Sequence, residues 1–106
     1  MYESNILVRA CLDALSFVNM IVDRDLVAAV AFSESHLSQY RHHKIMLPTK
    51  TLSGTDTQVD ITTITALMCY VEPEKSEMAF LLTDGQRRII ANLLNNEVLR
   101  YGNKNR

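Results

Sequence analysis

The sequence is poor in the residues that staple, kink or bias a chain: 106 residues hold two cysteines, two prolines, three glycines and no tryptophan. Cys11 and Cys69 lie far apart inside apolar runs and form no CxxC motif. Such placing predicts reduced, buried thiols in an intracellular protein, although spacing by itself leaves a disulfide open. With so little glycine there is no Gly-rich phosphate loop and no GxSxG elbow, and carboxylates are scattered without a fixed pair. Neither sign of charge dominates. A formal net charge of -1 excludes a protein that coats nucleic acid by bulk electrostatics, because that affinity comes from many Lys and Arg neutralising phosphates. No apolar run is long enough to cross a bilayer. Met1 is followed by Tyr-Glu-Ser-Asn rather than by a basic region and an apolar stretch, so the chain is expected to stay in the cytoplasm.

What is present is ordinary globular composition, 47% hydrophobic and 22% charged, at a length that allows one domain with a modest single core. Residues 4 to 22 predict a first helix, capped by Ser4 or Asn5. Leu7, Cys11, Leu15, Val18 and Val22 recur at three- and four-residue intervals, with Ala14 and Ile21 beside them. Phe17 and Met20 read as packing residues.

The stretch from Asp23 to Lys44, DRDLVAAVAFSESHLSQYRHHK, predicts a helix-turn-helix. Asp23 can cap a first helix whose Leu26 and Val30 fall four apart on one face, with alanines leaving room for close approach and Phe32 plugging the turn. Ser33 can cap a second helix that buries Leu37 and Tyr40. Its other residues are short, polar and rich in donors and acceptors, as suits the reading of base edges in a major groove. An ordinary helical hairpin in an all-α domain has the same pattern.

LVAAVAFSESHLSQYRHH resembles the helix-turn-helix of the phage lambda CII type of transcription activator, within the wider lambda-repressor-like (Cro/CI) class. The shared features are the Ala-rich first helix, the SHLSQYR run and the basic end of the second helix; Ala31 stands where glycine is usual in the turn. The resemblance implies an all-α, compact four- to five-helix DNA-binding domain. It also implies a sequence-specific transcriptional regulator of phage or prophage origin, with a recognition helix over 34–44. Ser33 and Glu34 open that helix; Ser35, His36, Ser38 and Gln39 would read bases; Arg41, His42 and Lys44 would hold phosphates. A local basic surface of Arg41, His42, His43, Lys44 and Lys50 stands apart from Glu72, Glu74, Glu77 and Asp84. The low charge per subunit predicts a homo-oligomer, dimer or tetramer, on linked half-sites of double-stranded DNA. RNA polymerase would be a second partner of an activator.

Beyond the motif, Ile45–Pro48 predicts a short apolar exit, with helix disfavoured before Pro48, and TKTLSGTDTQ a loop. The stretch 60–71 mixes strand-like Ile and Thr with helical spacing of Ile61, Ile64, Met68 and Val71; helix is expected, capped by Asp60 and ended at Pro73. SEMAFLL reads as short helix or strand. Thr83-Asp84-Gly85-Gln86 has capping-box form and opens a last helix over 84–101 with a stripe of Ile90, Leu93, Leu94, Leu99 and Tyr101, available for oligomerisation. His36, His42 and His43 raise the question of a metal. Adjacent His42 and His43 would point about 100° apart on a helix, with no completing ligand at i±4, so no metal, cofactor or catalytic residue is assigned. The competing expectation is a small helical protein-binding module, inhibitor or adaptor, without DNA binding. Near-neutral charge and the β-prone stretch at 58 to 71 favour it.

Overall fold

In the computed structural model the described residues are 2–104, with side chains described from 6 to 100. The expected caps Ser4 and Asn5, the stripe residue Tyr101 and the basic tail from Gly102 have side chains outside that range. Helix α1 spans Tyr2–Val22, as the apolar repeat predicts. It is the centre of the molecule: Ala10, Cys11, Ala14, Phe17, Val18 and Ile21 are buried, and α1 packs against every other helical element that forms the core except the turn at 73–75. The buried stripe is displaced toward Phe17, leaving Val22 at the rim.

The chain leaves α1 through a reversal centred on Arg24. Asp25 N–H donates to Met20 O (2.9 Å) and Arg24 N–H to Ile21 O (3.0 Å), the paired bonds of a Schellman motif. Arg24 holds φ 61 where glycine is the usual residue. Helix α2 then spans Leu26–Ser35, capped by Asp25, whose carboxylate accepts from Ala28 N–H at 3.2 Å. Asp23, the expected cap, is two residues too early.

The helix-turn-helix is not there. Helix α2 runs through Phe32 and Ser33 without a turn, because LVAAVAFSES contains no glycine or proline and Ala31 is among the best helix formers. After it comes one 3-10 turn, Leu37–Tyr40, that buries Leu37 and Tyr40 and ends at Arg41. No α-helix covers 34–44, so the recognition helix has no counterpart.

Nor is the fold all-α. Strand β1, Met46–Lys50, pairs antiparallel with β2, Asp56–Asp60, in register Met46↔Asp60 to Lys50↔Asp56. The stretches expected as an apolar exit and a loop are a hairpin. Pro48 keeps Leu47 extended, Leu47 and Thr49 alternate inward, and Gly54 closes the connection at φ 93 with its N–H donating to Thr51 O. Pro48 lies on a strand whose far edge is met by a side chain rather than a third strand. That side chain is Gln86: its Nε2 donates to Pro48 O (2.9 Å) and its Oε1 accepts from Lys50 N–H (3.2 Å).

Ile61–Cys69 is a run of 3-10 turns, capped by Asp60, whose carboxylate accepts from both Thr62 N–H and Thr62 Oγ1. Its buried residues Ile61, Ile64 and Leu67 fall three apart, the period of that helix. Short 3-10 turns at Pro73–Lys75 and Ala79–Leu82 lead to α3, Asp84–Lys104. Thr83 Oγ1 caps α3 by accepting from Gln86 N–H at 3.0 Å. Helix α3 packs along α1 through Ile90 and the half-buried Leu93 and Leu94, while Val98 and Leu99 are exposed. Both cysteines are free; Cys11 is buried, whereas Cys69, also expected inside, is exposed. Among the described residues no helix is long and apolar enough to cross a membrane.

Candidate functional site

The residues expected to contact DNA form no common reading face, and three of them turn their polar atoms to the backbone nearby. Ser35 Oγ donates to Ala31 O (2.9 Å), Ser38 Oγ to Glu34 O (2.6 Å), and Gln39 Nε2 to His36 O (2.8 Å). The His36 ring stacks on Phe32 with centroids 4.4 Å apart. Ser33, Glu34, Ser38 and Arg41 share a recess of about 140 Å³ with Thr62 and Thr65. His42 and Lys44 lie exposed beyond the 3-10 turn and do not join them. Behind this segment the Tyr40 hydroxyl donates to Asp13 at 2.6 Å, and burial together with that carboxylate raises the Tyr40 pKa. Among the described residues no group of three or more His, Cys, Asp or Glu is placed to hold a metal ion.

The two most exposed large aliphatic side chains, Val71 and Val27, lie elsewhere. Helix α2 buries Ala29 against α1 and the 3-10 run, half-buries Phe32 and Ser33, and turns Leu26, Val27, Val30 and Ala31 outward. At 100° per residue those four cover an arc of about 140°, which runs from Leu26, about 60° from Ala29, through Val30 to Val27 and Ala31 on the opposite side. Val27 is 83% exposed, and Val71, on the neighbouring 70–74 segment, is 95% exposed. Sequence spacing assigns Leu26 and Val30 to the core; both are exposed, because only alanine is small enough at the closest approach of α2 to its neighbours.

Between Leu26 and Val71 the surface dips into a groove of about 210 Å³. Buried Ile21 and Leu67 form its floor, and Tyr70 and Pro73 line it. An ion pair joins its walls: Arg24 Nη2 donates to Glu74 Oε1 at 2.6 Å. The Glu74 carboxyl is held below the usual carboxylate range, first by its own backbone N–H and then by Arg24. The Tyr70 hydroxyl donates to Glu77 (3.4 Å), and its pKa is raised by partial desolvation and by that carboxylate. Arg24, Tyr70, Val71, Pro73 and Glu74 belong to no motif, and sequence reasoning misses them as site residues. The available signal is an α2 sequence apolar on all sides, more than one buried face requires, and an isolated valine set before Glu-Pro-Glu.

A model of the CTLH/CRA C-terminal to LisH motif domain matches residues 3–106. The chain belongs to this family. CTLH domains are protein-interaction modules and not a catalytic family. Membership overturns the resemblance to lambda CII and the Cro/CI class, which rests on the 26–43 stretch alone. With it go the DNA-binding phage regulator, the double-stranded-DNA and RNA polymerase partners, and the oligomer on linked half-sites. The physical reason is the one seen in the fold: the SHLSQYR run of this CTLH chain is the end of α2 followed by a single 3-10 turn, and its hydroxyls and amide bond to local carbonyls. No curated protein and no solved structure matches the CTLH chain.

Proposed function

We propose that the chain acts as a single protein-docking domain whose contact face is the apolar side of α2, Leu26, Val27 and Val30, continued by Val71. This agrees with the protein-binding alternative read from the sequence and with the family to which the chain belongs. The observation that carries it is the orientation of α2: the helix packs Ala29 and part of Phe32 on the core and leaves Leu26, Val27 and Val30 in water. Aliphatic surface in that position contributes about 25 cal/mol per Å² once a partner covers it. Patches of this kind on soluble domains mark interaction sites.

A site-specific photocrosslinker tests the proposal. Placed at Val27 in the full chain and exposed to the extract of its native cell, it gives a discrete protein adduct that disappears when Leu26→Asp is added, with the far-UV circular dichroism unchanged. Placed at Asn92, on the exposed polar side of α3, it gives none. Equal adduct patterns at the two positions, or an adduct at Val27 indifferent to Leu26→Asp, refute the assignment of this face.

A further inference from the structure

We infer that the groove between Leu26 and Val71 receives one large apolar side chain from a partner peptide segment that carries lysine or arginine beside it. The inference rests on the docking role proposed above and adds the chemistry of the partner. Size comes first. At about 210 Å³ the groove falls below the roughly 300 Å³ at which small-molecule pockets begin, yet its floor of Ile21 and Leu67 is apolar and formed. It suits a single anchor such as Leu, Met or Phe, the kind of side chain that dominates peptide recognition when seated in a desolvated pocket.

Charge selects the flanks. The groove's own lining holds one pair of charges, Arg24 and Glu74, and the segments that supply its walls, 23–26 and 70–77, add Asp23, Asp25, Glu72 and Glu77 against Lys75. Both cations are already engaged, Arg24 with Glu74 at 2.6 Å and Lys75 with Glu72 at 3.5 Å. Asp25 accepts from the α2 N-terminus and Glu77 from the Tyr70 hydroxyl, and neither they nor Asp23 pair with Arg24 or Lys75, in a chain whose total formal charge is only -1. The excess acidity therefore borders the groove, where a partner's flanking residues would lie, and a basic flank offsets it while an acidic one is repelled. The third observation is backbone conformation. Arg24 is held at φ 61, a left-handed position that glycine occupies more easily, and from there its guanidinium reaches the opposite wall. That bridge links the two walls before a partner arrives and, as a solvent-exposed pair, favours their spacing only weakly.

Panning a display library of short random peptides against the full chain, with counter-selection on a Val71→Asp variant, provides the test. The expected enriched peptides carry one large apolar residue with Lys or Arg beside it. When titrated into isotope-labelled protein they shift the amide resonances of Leu26, Leu67 and Val71. Their affinity falls as salt is raised, and by roughly two- to fivefold for each charge removed in Asp23→Asn and Glu72→Gln. Enriched peptides that map to the groove but are acidic or uncharged overturn the basic partner and leave protein docking at this face standing. Peptides that bind Val71→Asp equally well overturn the groove as the site. Shifts of the same resonances on concentrating the chain without peptide identify a second copy as occupant and overturn the peptide. Failure to enrich anything over a blank selection, together with a negative crosslinking result at Val27, overturns both proposals.

Discussion

Replacing Gln86 should expose how the hairpin is attached to the helices. Gln86 is 2% exposed, and its carboxamide stands in for a third strand: Nε2 donates to Pro48 O and Oε1 accepts from Lys50 N–H. Gln86→Leu keeps much of the volume and removes both bonds. Two net hydrogen bonds contribute about 1 kcal/mol each. Stranding the Pro48 carbonyl and the Lys50 amide adds up to about 2 kcal/mol, and the gain from burying a leucine offsets about 1 kcal/mol. The expected loss is about 1 to 3 kcal/mol, a large part of the stability of a domain this small. Urea unfolding followed by far-UV circular dichroism reads it as a fall in midpoint of roughly 1 to 2 M. Gln86→Glu makes the same contact sensitive to pH. Protonated, the introduced carboxyl can donate to Pro48 O; ionised, it faces a carbonyl oxygen in a buried place. Its pKa in the folded chain must therefore lie above the roughly 4.3 of the unfolded chain. Stability relative to the parent is retained below about pH 4 and lost as pH rises through the folded-state value. A Gln86→Leu protein within about 0.5 kcal/mol of the parent, or a Gln86→Glu deficit that does not change with pH, would refute the bridging role, given the size of the terms it removes.

The helix ends and the thiols give two more expected outcomes. Asp25→Ala should cost about 1 kcal/mol in urea unfolding because it removes the α2 cap, whereas Asp23→Ala should stay within about 0.5 kcal/mol of the parent; the reverse order would restore the cap position expected from sequence. Thiol titration of the native protein should modify Cys69 alone, with Cys11 reacting only on unfolding, since burial and then Glu97 push the Cys11 thiol up to about 11 from 9.0. Because that pKa is raised by folding, its contribution to stability is complete below pH 9.0 and declines as pH rises toward about 11, where only the unfolded thiol has ionised. A native protein whose two thiols react at one rate would contradict the burial of Cys11.

The elements that sequence makes legible are those with two agreeing signals. Helix α1 has a sustained apolar repeat, and α3 has the Thr83 cap followed by Ile90, Leu93 and Leu94. Asp60 caps the run that begins at Ile61, as its side chain allows. The hairpin is hidden because its signals disagree. Strand β2, DTQVD, has a single apolar residue and no alternation, and β1 contains proline, which sequence rules confine to edges and turns. The 61–69 run invites a period of 3.6 although its buried residues recur at three, and the same spacing of Leu37 and Tyr40 passes equally for part of an α-helix. In short segments the two periods differ by less than one residue over a turn, so only the ends, not the spacing, can decide.

The site is illegible for a related reason. A helix declares its buried face by contrast, and LVAAVAF has none: Leu26, Val27 and Val30 are as apolar as anything in the core. Without contrast, size decides. Close packing against α1 and the 3-10 run puts the methyl of Ala29 at the contact with Phe32 beside it, and Leu26, Val27 and Val30 are left on the outer side. Ser33, expected from its residue type to start a second helix, is instead an interior position of the same helix, and Ser35 and Ser38 bond back to carbonyls four residues earlier. The difference between a DNA-reading head and a docking face is thus the placement of one turn. Set at Phe32, it divides the segment into two helices; moved to His36, the same residues produce one helix whose Leu26, Val27 and Val30 stay exposed among the described residues, the surface on which the proposed docking role rests.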